Sequence, residues 1–490
     1  MSGLCRFRAK TSAVDTELRP HQSRVLRRIR EQPGLVVAHG LGSGKTLTSI
    51  AAGEELGGDT AVVAPAALLG NYAKEVDKHV SSPDTRRFLE SLQRVGLRKE
   101  LAAPPGRLLV VDEAHRLRDP ASKTRMALAK AAPSFDKTLL LTATPVYNHP
   151  HDLAALVNLV SGEPLLPASK GDFSKEYVSS EKVKPGFFAR LRGVKPGARQ
   201  RLTNEKKLGE ILGTWVDYHD NPPEGFPSVS YEKVDVPMSD HQHKLYSSFM
   251  DTAPAWLRHK VRKGLPPSKA ESKQLNAFAS ATRQVSNTTL PFDAVTPEAE
   301  QLAASAKLQR AVGELARRHA DDPEYRSVVY SNFLDAGLSP YEKLLQDTKV
   351  PYGKFTGGMK RTERDELVRR YNEGDLRALL ISSAGGEGLD LKGTRLIQVL
   401  DPHWNEEKIR QVIGRGVRYK SHAHLPEEDQ NVVVQRYRST LPERKGLGRL
   451  LRGKDRGGSI DTYLSMLSEE KDFLNEQVRA LMRQETARRS

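Results

Sequence analysis

Cysteine is all but missing from this chain: Cys5 is the single one among 490 residues. No intramolecular disulfide can form, which excludes the stapled secreted scaffolds and fits a reducing, intracellular compartment. A lone near-terminal thiol is also poor ground for a cysteine nucleophile. Long apolar runs are missing too. No stretch approaches ~18 consecutive apolar residues, the least that a membrane-spanning helix needs. Residues Met1 to Lys10 are too polar and basic for a secretory signal and lack its apolar core. Hydrophobic residues make up 38% of the chain and aromatics 6%. That share lies below the globular norm, so charged surface or loops must take up the difference. Acids are the scarcer charge: 61 Asp and Glu face 77 Lys and Arg, a net charge of +16. A surplus of that size favours polyanionic partners, nucleic acid first, over an inert basic surface.

What the sequence does contain is a rhythm of short apolar runs that end in glycine or small polar residues. Leu35-Val36-Val37-Ala38, Thr60-Ala61-Val62-Val63-Ala64, Leu108-Leu109-Val110-Val111 and Thr138-Leu139-Leu140-Leu141 each read as a buried strand of a parallel sheet, with helical patterns between them. They predict an α/β lobe over residues 1–165. Ser327-Val328-Val329-Tyr330, Ala378-Leu379-Leu380-Ile381 and Leu396-Ile397-Gln398-Val399-Leu400 predict a second one over residues 296–440. The interval 166–295 differs. From Leu166 to Lys207 eleven Lys and Arg face four acids, and Phe173, Tyr177, Phe187 and Phe188 read as anchors of a small helical subdomain. A second basic stretch holds Arg258, Lys260, Arg262, Lys263, Lys269 and Lys273, with a loop at Pro266-Pro267. Both stretches are candidates for phosphate contact. Residues 441–490 comprise a glycine-rich basic loop and then a stripe, Ile460, Leu464, Leu467, Leu474, Val478 and Leu481. The spacing predicts an amphipathic helix packed on the second lobe.

The chemistry concentrates where runs end. Gly40-Leu41-Gly42-Ser43-Gly44-Lys45-Thr46 joins a predicted strand to a predicted helix. Small residues let backbone N–H groups curl around phosphates, and the helix N-terminus adds partial positive charge. Lys45 is placed to reach the β- and γ-phosphates and Thr46 to bind Mg²⁺. His39 stands where the strict loop pattern has glycine. Asp112-Glu113-Ala114-His115 follows the third run. An acid there holds Mg²⁺ and its neighbour polarises the attacking water, which makes Asp112 the metal-side carboxylate and Glu113 the candidate base. The hydroxyls of Thr142-Ala143-Thr144-Pro145 are candidates to bond the Asp112–His115 loop. In the second lobe, Gly385-Gly386-Glu387-Gly388-Leu389-Asp390 follows a strand. Farther on, Arg415 and Arg418 are three apart, which on one helix would put both on one face and let both point at a phosphate.

The order of these motifs resembles the helicase motifs of superfamily 2. The match runs through Leu18-Arg19-Pro20-His21-Gln22, the Lys45 loop, Ala64-Pro65, Asp112–His115, Thr142–Pro145, Ser382–Leu391 and Gln411–Arg418. Leu140–Asn148 and Asp401-Pro402-His403-Trp404-Asn405 are similar to the Swi/Snf-type branch. Arg418-Tyr419-Lys420-Ser421-His422 looks closer still to its poxvirus and giant-virus members. The resemblance implies two RecA-like parallel-sheet lobes in tandem, a basic helical insertion and a C-terminal helix. It implies that ATP and Mg²⁺ are bound by Gln22, reading adenine, and by Gly40, Gly42, Ser43, Gly44, Lys45 and Thr46. Gly388 and Asp390 would sense the γ-phosphate and ribose side, and Arg415 and Arg418 would be arginine fingers. Nucleic-acid phosphates would lie near Pro65, Asn332, Thr356 and Ser383.

These readings imply an ATP-hydrolysing motor, expected to translocate on double-stranded DNA. Two alternatives are a strand-separating DNA or RNA helicase, and an ATP-switched recruitment module acting on a partner such as RNA polymerase. Such a partner would be met through the basic insertion or the tail. Nothing points to a membrane, and an intracellular location, in a host cell if the protein is viral, is the expectation.

Overall fold

The computed structural model describes residues 14–81, 85–146, 149–183, 197–220, 225–382, 389–402, 406–442 and 458–489. The chain forms two compact units. One comprises Met1–Ser179, Arg201–Pro222 and Phe473–Ser490, the other Ser180–Gln200 and Pro223–Asp472.

The first unit is built on a six-stranded parallel sheet. Its strands are β1 (Gly34–His39), β2 (Thr60–Ala64), β3 (Arg87–Ser91), β4 (Gly106–Val111), β5 (Phe135–Thr142) and β8 (Val216–His219), in the order β3-β2-β4-β5-β1-β8. Side chains alternate across a strand, and both faces here are apolar. Leu35, Val37, Val62, Leu108, Val110, Leu139 and Leu141 face one cluster, with Val25, Leu26 and Ile29 of helix α1 (Pro20–Glu31) and Ile50, Ala51 and Ala52 of α2 (Lys45–Leu56). Val36, Ala38, Ala61, Val63, Leu109, Val111 and Leu140 face the other cluster. Burial on both sides is why these strands read as unbroken apolar runs.

The second unit repeats the plan. Its strands are β9 (Ser228–Pro237), β10 (Arg326–Ser331), β11 (Tyr352–Phe355), β12 (Ala378–Ser382), β13 (Thr394–Val399) and β14 (Asn431–Thr440), all parallel, in the order β11-β12-β10-β13-β14-β9. A separate two-stranded sheet pairs β6 (Val178–Val183) with β7 (Gly197–Leu202).

Several elements differ from the sequence reading. The interval 166–295 is helical in large part, yet it also supplies a strand to each sheet, β8 to the first and β9 to the second. Phe173 and Tyr177 anchor no separate subdomain; they are fully buried in the first unit's core beside Leu153, Leu156 and Leu166. Phe187 and Phe188, and the basic loop before Gly458, lie outside the described residues. The tail is a helix, Ile460–Arg488, but its stripe serves two cores. Ile460 and Leu464 belong to a cluster of the second unit, whereas Leu474, Val478 and Leu481 belong to the first unit's core. Among the described residues, no helix is long and apolar enough to cross a membrane.

Candidate active site

In a parallel sheet every strand ends on the same side, so the loops after β1, β4 and β5 gather at one edge. After β1 the chain turns through Gly40–Gly44 and enters α2 at Lys45. Gly42 and Gly44 hold φ of 70° and 78°, the left-handed region that glycine enters without strain. At Gly44 a Cβ would also sit 2.5 Å from Gln22 Nε2. The loop is braced from α1. His21 Nε2 lies 2.9 Å from Ser43 O, and Gln22 Nε2 donates to Gly44 O at 3.2 Å. Gln22 Oε1 accepts from the Arg19 amide at 2.9 Å. The Ser43 hydroxyl closes the turn on Gly40 O at 2.8 Å. Lys45 Nζ donates to the carbonyls of His39 at 2.9 Å and Gly40 at 3.0 Å. An ammonium folded back on its own loop is held where an incoming phosphate can draw it away.

Asp112 caps β4. Its amide donates to Val63 O at 2.8 Å, and its Oδ1 accepts from the Glu113 amide at 2.8 Å. Burial first, and the neighbouring Glu113 second, push the Asp112 carboxyl up to about 6, against the lowering effect of the Lys45 charge. A carboxyl so placed gains from an added cation. Glu113 has φ 51° and ψ 43°, a left-handed backbone costly for a side-chain-bearing residue and concentrated at functional sites. Its Oε2 lies 3.2 Å from His115 Nδ1, and that nitrogen lies 3.4 Å from the Thr142 hydroxyl. The Thr142 oxygen also accepts the Thr144 amide at 3.0 Å. The contact from the Thr142 turn to the Asp112–His115 loop therefore exists, and it reaches Glu113 through His115.

ATP with Mg²⁺ fits these residues: two left-handed glycines, a helix N-terminus at Lys45–Thr46, a lysine on displaceable carbonyls and a carboxyl raised by burial. Thr46 and Asp112 would hold the metal, which would supply charge neutralisation at the phosphates.

In the second unit the helix Glu406–Gly416 carries Arg415, half-buried, but stops two residues before Arg418. The expected shared helical face is thus absent. The Arg418 amide leaves the helical ladder for the Ser421 hydroxyl at 3.2 Å, and a Cβ on Gly416 would meet Thr394 Cβ at 2.9 Å. Arg418 instead lies 3.6 Å from Asp390 Oδ1. Gly388 and Ser383 lie outside the described residues. Pro65 is buried at the entrance to the helix Ala66–His79, and Thr356 is half-buried. Asn332 Nδ2 donates to Asp401 Oδ2 at 2.7 Å.

A buried carboxylate beneath the loop belongs to no motif. Asp217 lies on β8 between Val216 and Tyr218, which face the opposite cluster. It accepts from Arg24 Nε and Nη2, both at 2.8 Å, from Arg28 Nη1 at 3.1 Å, and from His39 Nε2 at 2.7 Å. Two arginines four apart on a helix, Arg24 and Arg28, were the available signal.

The SNF2-related domain matches residues 98–290, and the helicase conserved C-terminal domain matches residues 306–420. The chain is 29% identical to a "Putative ATP-dependent RNA helicase" of Acanthamoeba polyphaga mimivirus, over 93% of this chain and 94% of that protein. It is 23% identical to the "Termination factor NPH-I homolog" of African swine fever virus, over 92% of this chain and 75% of that protein. The Sulfolobus solfataricus SWI2/SNF2 ATPase core, solved with double-stranded DNA, aligns over 96% of this chain at 17% identity. The TM-score of that alignment is 0.36.

Proposed function

We propose that the chain, which resembles the Swi/Snf-type branch of superfamily 2 and its viral members, is an ATP-hydrolysing translocase on double-stranded DNA. The observation that carries this reading is the SNF2-related match over residues 98–290, joined to a phosphate loop whose lysine faces displaceable carbonyls. The net charge of +16 supports a polyanionic track. Lys45 draws off His39 O and Gly40 O onto the phosphates. Glu113 takes the proton of the attacking water, oriented through His115 and Thr142. Arg415 and Arg418 are assigned as the positive charges that offset the negative charge developing on the γ-phosphate as it leaves. Contacts to the track are to phosphates and independent of sequence.

A second reading has its own support: the mimivirus relative is named for an RNA helicase. Steady-state ATPase measured without nucleic acid and with single-stranded DNA, duplex DNA and duplex RNA separates the two. The translocase reading predicts strong stimulation by duplex DNA that weakens as salt rises. Stimulation chiefly by RNA or single strands would replace it with the helicase reading. In either case Glu113→Gln is expected to lower kcat by about 10²–10⁴-fold.

A further inference from the structure

His39 is the last residue of β1, so its peptide carbonyl is the first group of the phosphate loop. That carbonyl accepts Lys45 Nζ at 2.9 Å. The side chain of the same residue is fully buried and meets Asp217 Oδ1 at 2.7 Å, also fully buried. Asp217 is fixed in turn. Arg24 holds it with two bonds and Arg28 with a third. Arg28 is itself tied to the carbonyls of Gly213, Thr214 and Val216 at 2.8, 2.8 and 2.9 Å. Arg24 and Arg28 are one turn apart on α1, the helix that also carries His21 and Gln22 to the loop. One carboxylate thus joins α1, β1 and β8 at the point where the loop begins.

The rest of the surroundings fix the imidazole's orientation. His21 and His219 stack on each other, centroids 4.1 Å apart, and both meet the His39 ring edge-on at 5.3 and 5.7 Å. The His219 carbonyl accepts the Gly40 amide at 2.7 Å. Burial holds His39 below the ordinary imidazole range, so Nε2 carries the proton that Asp217 accepts. Groups that orient a working residue need not touch substrate to change how tightly it is bound.

We infer that His39 and Asp217 are positioning residues for nucleotide binding: the His39 Nε2–H bond to Asp217 fixes the backbone of His39 and Gly40, and so the starting position of Lys45. The inference rests on Lys45 being the phosphate-binding lysine. Neither His39 nor Asp217 reacts.

The test is equilibrium binding of a fluorescent ADP, with ATPase KM and kcat, for wild type, His39→Phe, His39→Gln and Lys45→Ala. Phenylalanine keeps a ring in the histidine cluster but removes the donor, and glutamine restores an N–H donor. His39→Phe is expected to weaken ADP binding and raise KM by about tenfold or more while kcat changes far less. His39→Gln should recover most of that loss. Thermal melts identify any variant that is merely unfolded. Should His39→Phe fail to fold, His39→Gln and Asp217→Asn decide. Binding near wild type for the first and about tenfold weaker for the second supports the pair, and equal binding overturns it. Wild-type affinity in a folded His39→Phe, with Lys45→Ala impaired, overturns the inference alone. Wild-type affinity in Lys45→Ala overturns the assignment of the loop itself.

Discussion

At the scale of single residues, the first unit keeps its ionisable groups in unusual states around one loop. Burial outweighs all else at His21 and His39, and it lowers His219 to about 4 with help from the other two histidines. Burial alone would raise the Asp217 carboxyl, but the bonds from Arg24 and His39 hold it well below the ordinary carboxylate range. Burial disfavours the charged form of all three histidines in the folded chain, so unfolding lets them take up protons once the pH is below ~6.5. The unfolded state then binds more protons, so stability is complete above that pH and falls as pH drops toward 4. Denaturant titrations at pH 7.5 and pH 5 are expected to show a lower midpoint at pH 5. In His219→Asn the difference should shrink. Because Asp112, raised to about 6, opposes the histidines in this window, the decisive outcome is the variant: a pH difference that does not shrink in His219→Asn would contradict these assignments. None of this was legible beforehand, because His21 and His219 are nearly 200 positions apart in sequence and meet where Arg24 and Arg28 of α1 bind Asp217 of β8.

Among elements, what the sequence revealed depended on burial. The central strands β1, β2, β4, β5, β10, β12 and β13 are apolar on both faces and were all visible as runs. The strands β3, β9, β11 and β14 mix polar with apolar residues: β11 and β14 interleave buried with half-buried positions, β3 is buried only at its last two residues, and β9 has no buried residue. They escaped detection because a half-covered strand needs only part of the apolar content. β8 escaped for another reason: at four residues, with Asp217 in its middle, it is too short and too polar to announce a buried strand. The arginine pair was misplaced onto one helix face because spacing alone does not show where Gly416 packs against Thr394. The helix Ile460–Arg488 was visible, but not the division of its apolar stripe between two cores. Leu474 is 3% exposed in the first unit's core, so Leu474→Ala is expected to cost about 2–5 kcal/mol of that unit's stability. Calorimetry of the full chain checks it. A loss confined to an unfolding step that leaves nucleotide-dependent stabilisation intact would contradict the placement.

For the whole molecule, family and fold were accessible because motifs sit at strand ends, and strand ends are where a parallel sheet collects its chemistry. The Lys45 loop, Asp112, Glu113 and Thr142 lie in that order at the ends of β1, β4 and β5 in the first unit. What a linear reading missed was the support beneath them, since Asp217 is remote in sequence and belongs to no motif. The basic surplus has a separate consequence. Binding that neutralises phosphates releases counterions, so affinity for nucleic acid should fall steeply with salt whatever the base sequence. Charge alone does not select duplex DNA over RNA. The central claim is therefore best tested by displacement of a third strand from a DNA triplex whose underlying duplex is labelled separately. Wild-type protein with ATP is predicted to strip the third strand while the duplex stays paired, and Glu113→Gln to leave the triplex intact. A duplex that comes apart, or a triplex untouched by protein whose ATPase that same DNA stimulates, would contradict translocation on double-stranded DNA.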